Sequence, residues 1–209
     1  ISVGLPWAET GNSEVGHLNL GAGKIVYQYF PRISLAIQDG SFFKNPALLK
    51  SFEHAKKNNS SVNLVGLLSK GSVHSSLEHL NALIKFARDC GAIKLNLHLF
   101  TDGRDSPPRS ALDILKKLEA LQENSRKNKI SIASLAGRYY ALNHDQKWDR
   151  TAKTYASLVG LNQNQAAPEA IIRNAYAAGL NDEFIEPSPT LDAVPIQDND
   201  ALIFFNFRE

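Results

Sequence analysis

The chain has 209 residues, 43% hydrophobic and 21% charged, with 23 Lys and Arg against 21 Asp and Glu for a formal charge of +2. This balance excludes intrinsic disorder, collagen and coiled coil, and it lacks the dense basic face of a nonspecific nucleic-acid binder. Cys90 is the sole cysteine, so an intramolecular disulfide framework is excluded, a cysteine-based zinc site is disfavoured, and a reducing, cytoplasmic setting fits best.

At about 150 residues per domain the length allows one large domain, or one domain plus a fragment of another. No run approaches the roughly 18 apolar residues of a membrane helix, and the first residues lack a charged segment followed by an apolar one, so no membrane association is expected. The opening Ile1-Ser2-Val3, the absence of Met and the stop at Glu209 straight after an apolar run suggest a piece cut from something longer.

The first segment is rich in Gly and Asn: Gly11-Asn12-Ser13-Glu14-Val15-Gly16-His17, then Leu18-Asn19-Leu20-Gly21-Ala22-Gly23. It reads as belonging to a neighbouring unit, with a linker or arm over residues 24 to 44. Ser13 stands at a predicted helix start, where a serine before an acidic residue ordinarily serves as an N-cap. That position also offers backbone N–H groups and a dipole to a phosphorylated side chain.

Asn45 and Pro46 open the next helix, with Leu48, Leu49, Phe52 and Ala55 on one face. A strand follows over Val62 to Leu68. Ser75 and Glu78 make a capping-box pair for a helix with the stripe Leu80, Leu83, Ile84 and Ala87, closed by Gly91. Lys94 to Phe100 is the second strand. Ser106 with Pro107 opens a helix turning Ala111, Leu112, Leu115 and Leu118 inward. Ile130 to Ala136 is the third strand, helices run from Asp149 to about Leu158 and from Pro168 to about Ala178, and Ala201 to Phe207 is the fourth strand. This alternation predicts an α/β fold, three layers α/β/α with a mostly parallel sheet covered on both faces.

Ligands of open α/β sheets bind where the loops after the strands converge. The first strand is followed by Lys70-Gly71-Ser72-Val73-His74-Ser75 and the second by Thr101-Asp102-Gly103-Arg104-Asp105. Gly137-Arg138-Tyr139-Tyr140 follows the third and Arg208 the fourth. Three arginines and a histidine at one edge would repel one another without an anion, and guanidinium forks match phosphate and carboxylate oxygens. The expected ligand is a small, multiply negative molecule, with Asp105 as partner or general base for one of its hydroxyls.

Other patterns fail. Leu20-Gly-Ala-Gly-Lys24 lacks the first glycine and the Ser/Thr of a phosphate loop. His74 and His79 are five apart, not the three or four that pairs ligands on a helix face, and His98 belongs to a strand, so the chain contains no complete metal site. Tyr139, Tyr140 and Trp148 are expected in the core or as pocket walls rather than as a base-stacking platform.

At Gly11-Asn12-Ser13-Glu14-Val15-Gly16-His17-Leu18-Asn19 the sequence resembles the cofactor-independent (2,3-bisphosphoglycerate-independent) phosphoglycerate mutase family. The likeness continues through Gly21-Ala22-Gly23, Val73-His74-Ser75, Asp102-Gly103-Arg104-Asp105, Gly137-Arg138-Tyr139-Tyr140, Trp148-Asp149-Arg150, Ile196-Gln197-Asp198-Asn199-Asp200 and Phe205-Asn206-Phe207-Arg208. It covers nearly the whole chain in order.

The resemblance implies residues 1–26 as a piece of a metal-binding, phosphatase-like domain and residues 27–209 as the phosphotransferase, substrate-binding domain. It implies Ser13 as the nucleophile that carries the phosphoryl group between 3-phosphoglycerate and 2-phosphoglycerate and also ligates one of two Mn²⁺ (or Mg²⁺/Co²⁺) ions, with no 2,3-bisphosphoglycerate required. His74, Arg104, Arg138 and Arg208 match substrate-holding positions, and Asp105 the carboxylate at the glycerate hydroxyls. A monomeric, cytoplasmic enzyme of glycolysis and gluconeogenesis is expected.

Departures accompany it. The family's second arginine, six residues beyond Arg138, falls on His144 here, so one phosphate contact is weakened, replaced or conditional on pH. The family's aspartate and histidine metal ligands lie before Ile1 and after Glu209, so the isolated chain is expected to be inactive as a mutase. The alternative is a module that binds a phosphorylated small acid without transforming it.

Overall fold

The computed structural model describes residues 3–6, 13–92, 94–123, 129–162 and 165–208. The Gly11-Asn12 lead of the first motif and Glu209 lie outside these described residues. In chain order the elements are α1 (Ser13–Ala22), α2 (Tyr29–Gln38), a 3-10 turn (Ser41–Lys44), α3 (Pro46–Asn58), β1 (Val62–Leu68), α4 (Leu77–Asp89), β2 (Lys94–Thr101) and α5 (Ala111–Glu123). They continue with β3 (Lys129–Gly137), α6 (Arg138–Ala141), α7 (Trp148–Leu158), α8 (Pro168–Ala177), a 3-10 turn (Asp182–Phe184), β4 (Ser188–Pro189) and β5 (Ala201–Phe204).

The strands form one sheet in the order β4-β3-β2-β1-β5. β1 pairs in parallel with β2 and β5, β2 in parallel with β3, and only the short β4 runs antiparallel. The chain steps from β1 outward to β3 and then returns to the far side of β1. In open sheets such a reversal, at the carboxyl ends of the strands, is where a crevice opens.

The two sheet faces differ. Leu64, Leu95, Leu97, Leu99, Leu135 and Ile203 face a large core with Phe52, Leu80, Leu83, Ile114, Leu115, Leu118 and Ile172 from the helices. The other face carries only a small apolar cluster of Val65, Leu67, Phe100 and Ala136, and beside it a buried polar network. The Asn63 amide oxygen accepts from Asn96 at 3.0 Å and from His98 Nε2 at 3.2 Å, while its NH₂ donates to Asp200 at 3.0 Å. His98 Nδ1 lies 2.9 Å from the Ser134 hydroxyl, from which it accepts in the neutral Nε2–H ring that burial favours.

A bulge in β3 makes that last contact available: Leu97 pairs with Ile132 but His98 with Ser134. The extra residue, Ala133, gives its carbonyl to the Thr190 N–H at 3.0 Å. The insertion reverses the in/out alternation, so Ile132 and Leu135 share the apolar face although three residues apart.

Burial holds His98 down to about 4 despite the opposing pull of Asp200. The folded value lies below the ordinary 6.5, so the stability this neutral ring supports is complete above pH 6.5 and is lost as pH falls from there through 4. Acidification to pH 4.5 is expected to cost roughly 2–3 kcal/mol through this residue. Urea unfolding at pH 7 and 4.5 checks it: His98→Gln should lessen the acid dependence, and an unchanged dependence refutes the assignment.

Four expectations are corrected. Residues 24 to 44 are not a plain linker, because α2 and the following 3-10 turn occupy much of it: Ser34 bonds His79 of α4 at 2.9 Å, and Phe42 and Phe43 pack on the main core. The cap of α4 is Ser76, whose hydroxyl accepts from the Glu78 N–H, while the Ser75 hydroxyl donates to the Leu67 carbonyl. Ser106 and Pro107 do not open α5. Its first N–H groups, Ser110 and Ala111, instead donate to Asp182 at 2.8 and 2.9 Å, and its buried stripe includes Ile114. β5 ends at Phe204 rather than Phe207, since Asn206 uses its side chain, not its backbone, to accept the Leu67 N–H at 2.9 Å.

Candidate functional site

Parallel β1, β2, β3 and β5 deliver their carboxyl ends to one edge of the sheet, and a cleft of about 860 Å³ opens there. His74 comes from the loop after β1, Arg104 and Asp105 from the loop after β2, Arg138 from the start of α6, and Asn206 and Arg208 from the segment after β5. Tyr139, His144, Arg150, Glu183 and Phe184 line the same cleft.

The centre of the arrangement is Asp102, which is buried. One of its oxygens accepts from Arg138 Nη1 at 2.6 Å and from the backbone N–H groups of Arg104 and Asp105, each at 3.1 Å. The other accepts from the Ser69 hydroxyl at 2.6 Å. Burial, the largest influence, pushes this carboxyl up, but the bonds from Ser69, Arg138 and the two N–H groups outweigh it and hold it below 3.8. Asp102 therefore shapes the 102–105 turn and aims the Arg138 guanidinium in one stroke.

Asp105 accepts from His74 Nδ1 at 2.5 Å and lies 3.2 Å from Arg138 Nη1. The bond to Nδ1 fixes the imidazole orientation and makes Nε2 the nitrogen for any other partner. Arg104 is looser, 62% exposed and 3.8 Å from Glu183. The segment carrying Arg208 is stitched to the loop after β1, because the Phe207 N–H donates to the His74 carbonyl at 2.9 Å.

The wall opposite depends on a close backbone approach. A Cβ at Gly137 would sit 2.2 Å from the Glu183 carbonyl oxygen, so glycine alone lets the Asp182–Phe184 turn close against the end of β3. Phe184 then packs on the Tyr139 ring at 5.1 Å, and the Arg150 guanidinium lies over the same ring at 3.8 Å.

The structure thus brings together five of the residues singled out in the sequence: His74, Arg104, Asp105, Arg138 and Arg208. It does not bring Ser13 among them. Ser13 is exposed at the start of α1, its hydroxyl 3.2 Å and its carbonyl 2.6 Å from His17 Nδ1. The expected mutual repulsion of the cations is already relieved in part, since Arg138 and His74 share carboxylates. Trp148 is neither core nor wall; it is 73% exposed. Arg150, Glu183 and the role of Asp102 were not legible, because Arg150 and Glu183 do not directly follow a strand, and Asp102 follows β2 but meets its partners only in the folded chain.

For a metal at Ser13 the chemistry of the donor set decides. Among the described residues no group of three or more His, Cys, Asp or Glu could hold an ion. Ser13 and His17 do not complete a site by themselves, so the remaining ligands of an ion at Ser13 are not among the described residues.

The sheet is an open, mostly parallel α/β sheet with imidazole and guanidinium groups gathered at its carboxyl edge, the place where ligands of such folds bind. The profile of the family described as BPG-independent PGAM N-terminus (iPGM_N) matches residues 33–209, and the chain belongs to that family. It is 46% identical over 214 residues to 2,3-bisphosphoglycerate-independent phosphoglycerate mutase 1 of Methanosarcina barkeri, covering 99% of this chain and 41% of that protein. The corresponding mutase of Chloroflexus aggregans is 47% identical, with 100% of this chain and 39% of the relative covered. A solved phosphoglycerate mutase of Leishmania mexicana, at low cobalt concentration, superposes with a TM-score of 0.86 at 29% identity, covering 99% of this chain and 40% of that one. The chain spans about two fifths of the length of the curated relatives it matches.

Proposed function

We propose that this chain is the substrate-holding part of a longer, metal-dependent phosphoglycerate mutase that interconverts 3-phosphoglycerate and 2-phosphoglycerate without 2,3-bisphosphoglycerate. The observation that carries the reading is the convergence of His74, Arg104, Asp105, Arg138 and Arg208 on one cleft at the carboxyl edge. Residues 27–209 are the phosphotransferase domain and residues 1–26 a piece of the metal-binding domain. A cytoplasmic, monomeric enzyme of glycolysis and gluconeogenesis fits the single cysteine and the balanced charge. Among the described residues no helix is long and apolar enough to cross a membrane.

In the reaction the Ser13 hydroxyl oxygen attacks phosphorus, the bond from phosphorus to the substrate's 3-oxygen breaks, and the serine proton ends on that oxygen. Phosphoserine and glycerate result. Glycerate turns in the cleft, its 2-hydroxyl attacks the phosphoserine, and Ser13 recovers its proton as 2-phosphoglycerate forms. Two divalent ions, Mn²⁺ or Mg²⁺/Co²⁺, would supply charge neutralisation for such a transfer, with Ser13 the ligand contributed from these residues. Within this chain the arginines hold the acid's oxyanions, while Asp105, oriented by His74 and Arg138, takes a glycerate hydroxyl. Retention of glycerate in the cleft is what separates a mutase from a phosphatase.

Calorimetric titration of 3-phosphoglycerate tests the reading. Wild type is expected to bind in the micromolar range, and Arg138→Ala to weaken binding by about 10- to 100-fold, the worth of one charge-assisted contact. Equal affinities for 3-phosphoglycerate and a neutral polyol of similar size would refute an anion site. Binding without turnover in the full-length protein supplied with Mn²⁺ would instead favour a capture module.

A further inference from the structure

The charge inventory of the cleft singles out a residue that the resemblance leaves without a role. Arg138 is neutralised by Asp102 and Asp105, and Arg104 faces Glu183. His144 is 87% exposed and lies 3.0 Å from Asp145. Among the described residues, Arg150 and Arg208 are the cleft arginines with no carboxylate in ion-pairing range. A phosphate dianion needs positive charge that the protein has not already cancelled, which leaves these two as its natural partners.

Arg150 is also held ready. It occupies the first turn of α7, half-buried, with its guanidinium carbon 3.8 Å from the centre of the Tyr139 ring. That ring is itself wedged between Tyr140 and Phe184, each at 5.1 Å. A guanidinium lying on an aromatic face keeps its N–H donors in the plane, directed outward from the ring edge, and has little rotamer freedom left to lose on binding. The stack offers donors without consuming them.

We propose that Arg150, seated on Tyr139, is a substrate-binding residue that grips the phosphoryl group of the phosphorylated acid. The proposal rests on the phosphoglycerate reading of this cleft and adds to it a division of labour. Arg150 with Arg208 takes the phosphate, and Asp105, oriented by His74 and Arg138, takes the glycerate hydroxyl.

The test is a set of calorimetric titrations on the full-length protein, with 3-phosphoglycerate and with unphosphorylated glycerate as probes. Arg150→Ala is expected to lose about 10- to 100-fold in affinity for 3-phosphoglycerate and to leave glycerate affinity unchanged. Arg150→Gln, which keeps a planar group on Tyr139 but no charge, should lose as much and remain folded even where alanine loosens the wall. Arg150→Lys, with the charge but without the fork, should fall between. Wild-type phosphoglycerate affinity in both neutral variants overturns the proposal, as does an equal loss for the two probes, which would mean that Arg150 only supports the wall. No 3-phosphoglycerate binding by the wild type would sink the reading of the cleft itself, a result distinct from either.

Discussion

Asp102→Ala is expected to do more damage than any substitution among the residues that face the ligand. The carboxylate is buried and accepts four hydrogen bonds, from Ser69, Arg138 and the N–H groups of Arg104 and Asp105. Removing it strands the Arg138 guanidinium, whose side chain is only 10% exposed, and unfastens the 102–105 turn. Breaking a buried ion pair on one side costs about 3–5 kcal/mol, or a fall in Tm of roughly 6–20 °C for a chain of this size. Asp102→Asn keeps an acceptor for the turn but loses the charge opposite Arg138, and should fold better while binding 3-phosphoglycerate weakly. Scanning calorimetry and ligand titration together decide the matter. A D102A protein with wild-type Tm and affinity would show that the turn and Arg138 are held by other means.

The same carboxylate sets a pH limit. Its folded value lies below its ordinary 3.8, so the stability it contributes is present above that pH and disappears as pH falls through the lower folded value. This loss follows the one from His98, which begins nearer 6.5. Acid unfolding should accordingly show two successive regions, the first sensitive to His98→Gln and the second to Asp102→Asn.

Ser13→Ala in the full-length, Mn²⁺-supplied protein is expected to abolish mutase turnover, by about 10⁴-fold or more, since removing the nucleophile removes the covalent route. Ser13 does not line the cleft, so the same substitution should leave 3-phosphoglycerate affinity within about twofold of wild type. The pairing of a lost rate with an intact affinity is the diagnostic result. Surviving turnover would remove Ser13 from the chemistry, and a matching loss of affinity would mean that it belongs to the binding site after all.

Much of the cleft was legible in the sequence because parallel strands all end at one edge, so whatever follows them must converge. His74, Arg104, Asp105, Arg138 and Arg208 were found by that rule alone. Arg150 was not, since it lies twelve residues past Arg138 on a separate helix and enters the cleft only because Tyr139 gives its guanidinium a surface to lie on. Its sequence signal was the quoted Trp148-Asp149-Arg150 motif, which carried no assigned role. Asp102 was visible as a residue but not as the anchor, because its partners Ser69 and Arg138 lie on two other strand ends.

By itself the sequence determined the order and kind of the four parallel strands and the longer helices between them, though not α2, α6 or β4, since periodicity, caps and turn residues act over a few positions. The pairs Asn45 with Pro46 and Cys90 with Gly91 bound α3 and α4 as local chemistry requires. Only the tertiary structure decided where distant groups substitute for local ones. Asp182 caps α5 from some seventy residues away, Thr190 takes the carbonyl of the bulged Ala133, and Asn206 replaces a ladder bond beyond β5. A buried N–H or C=O must find a partner but does not specify which one, and that choice is made by proximity in the folded chain.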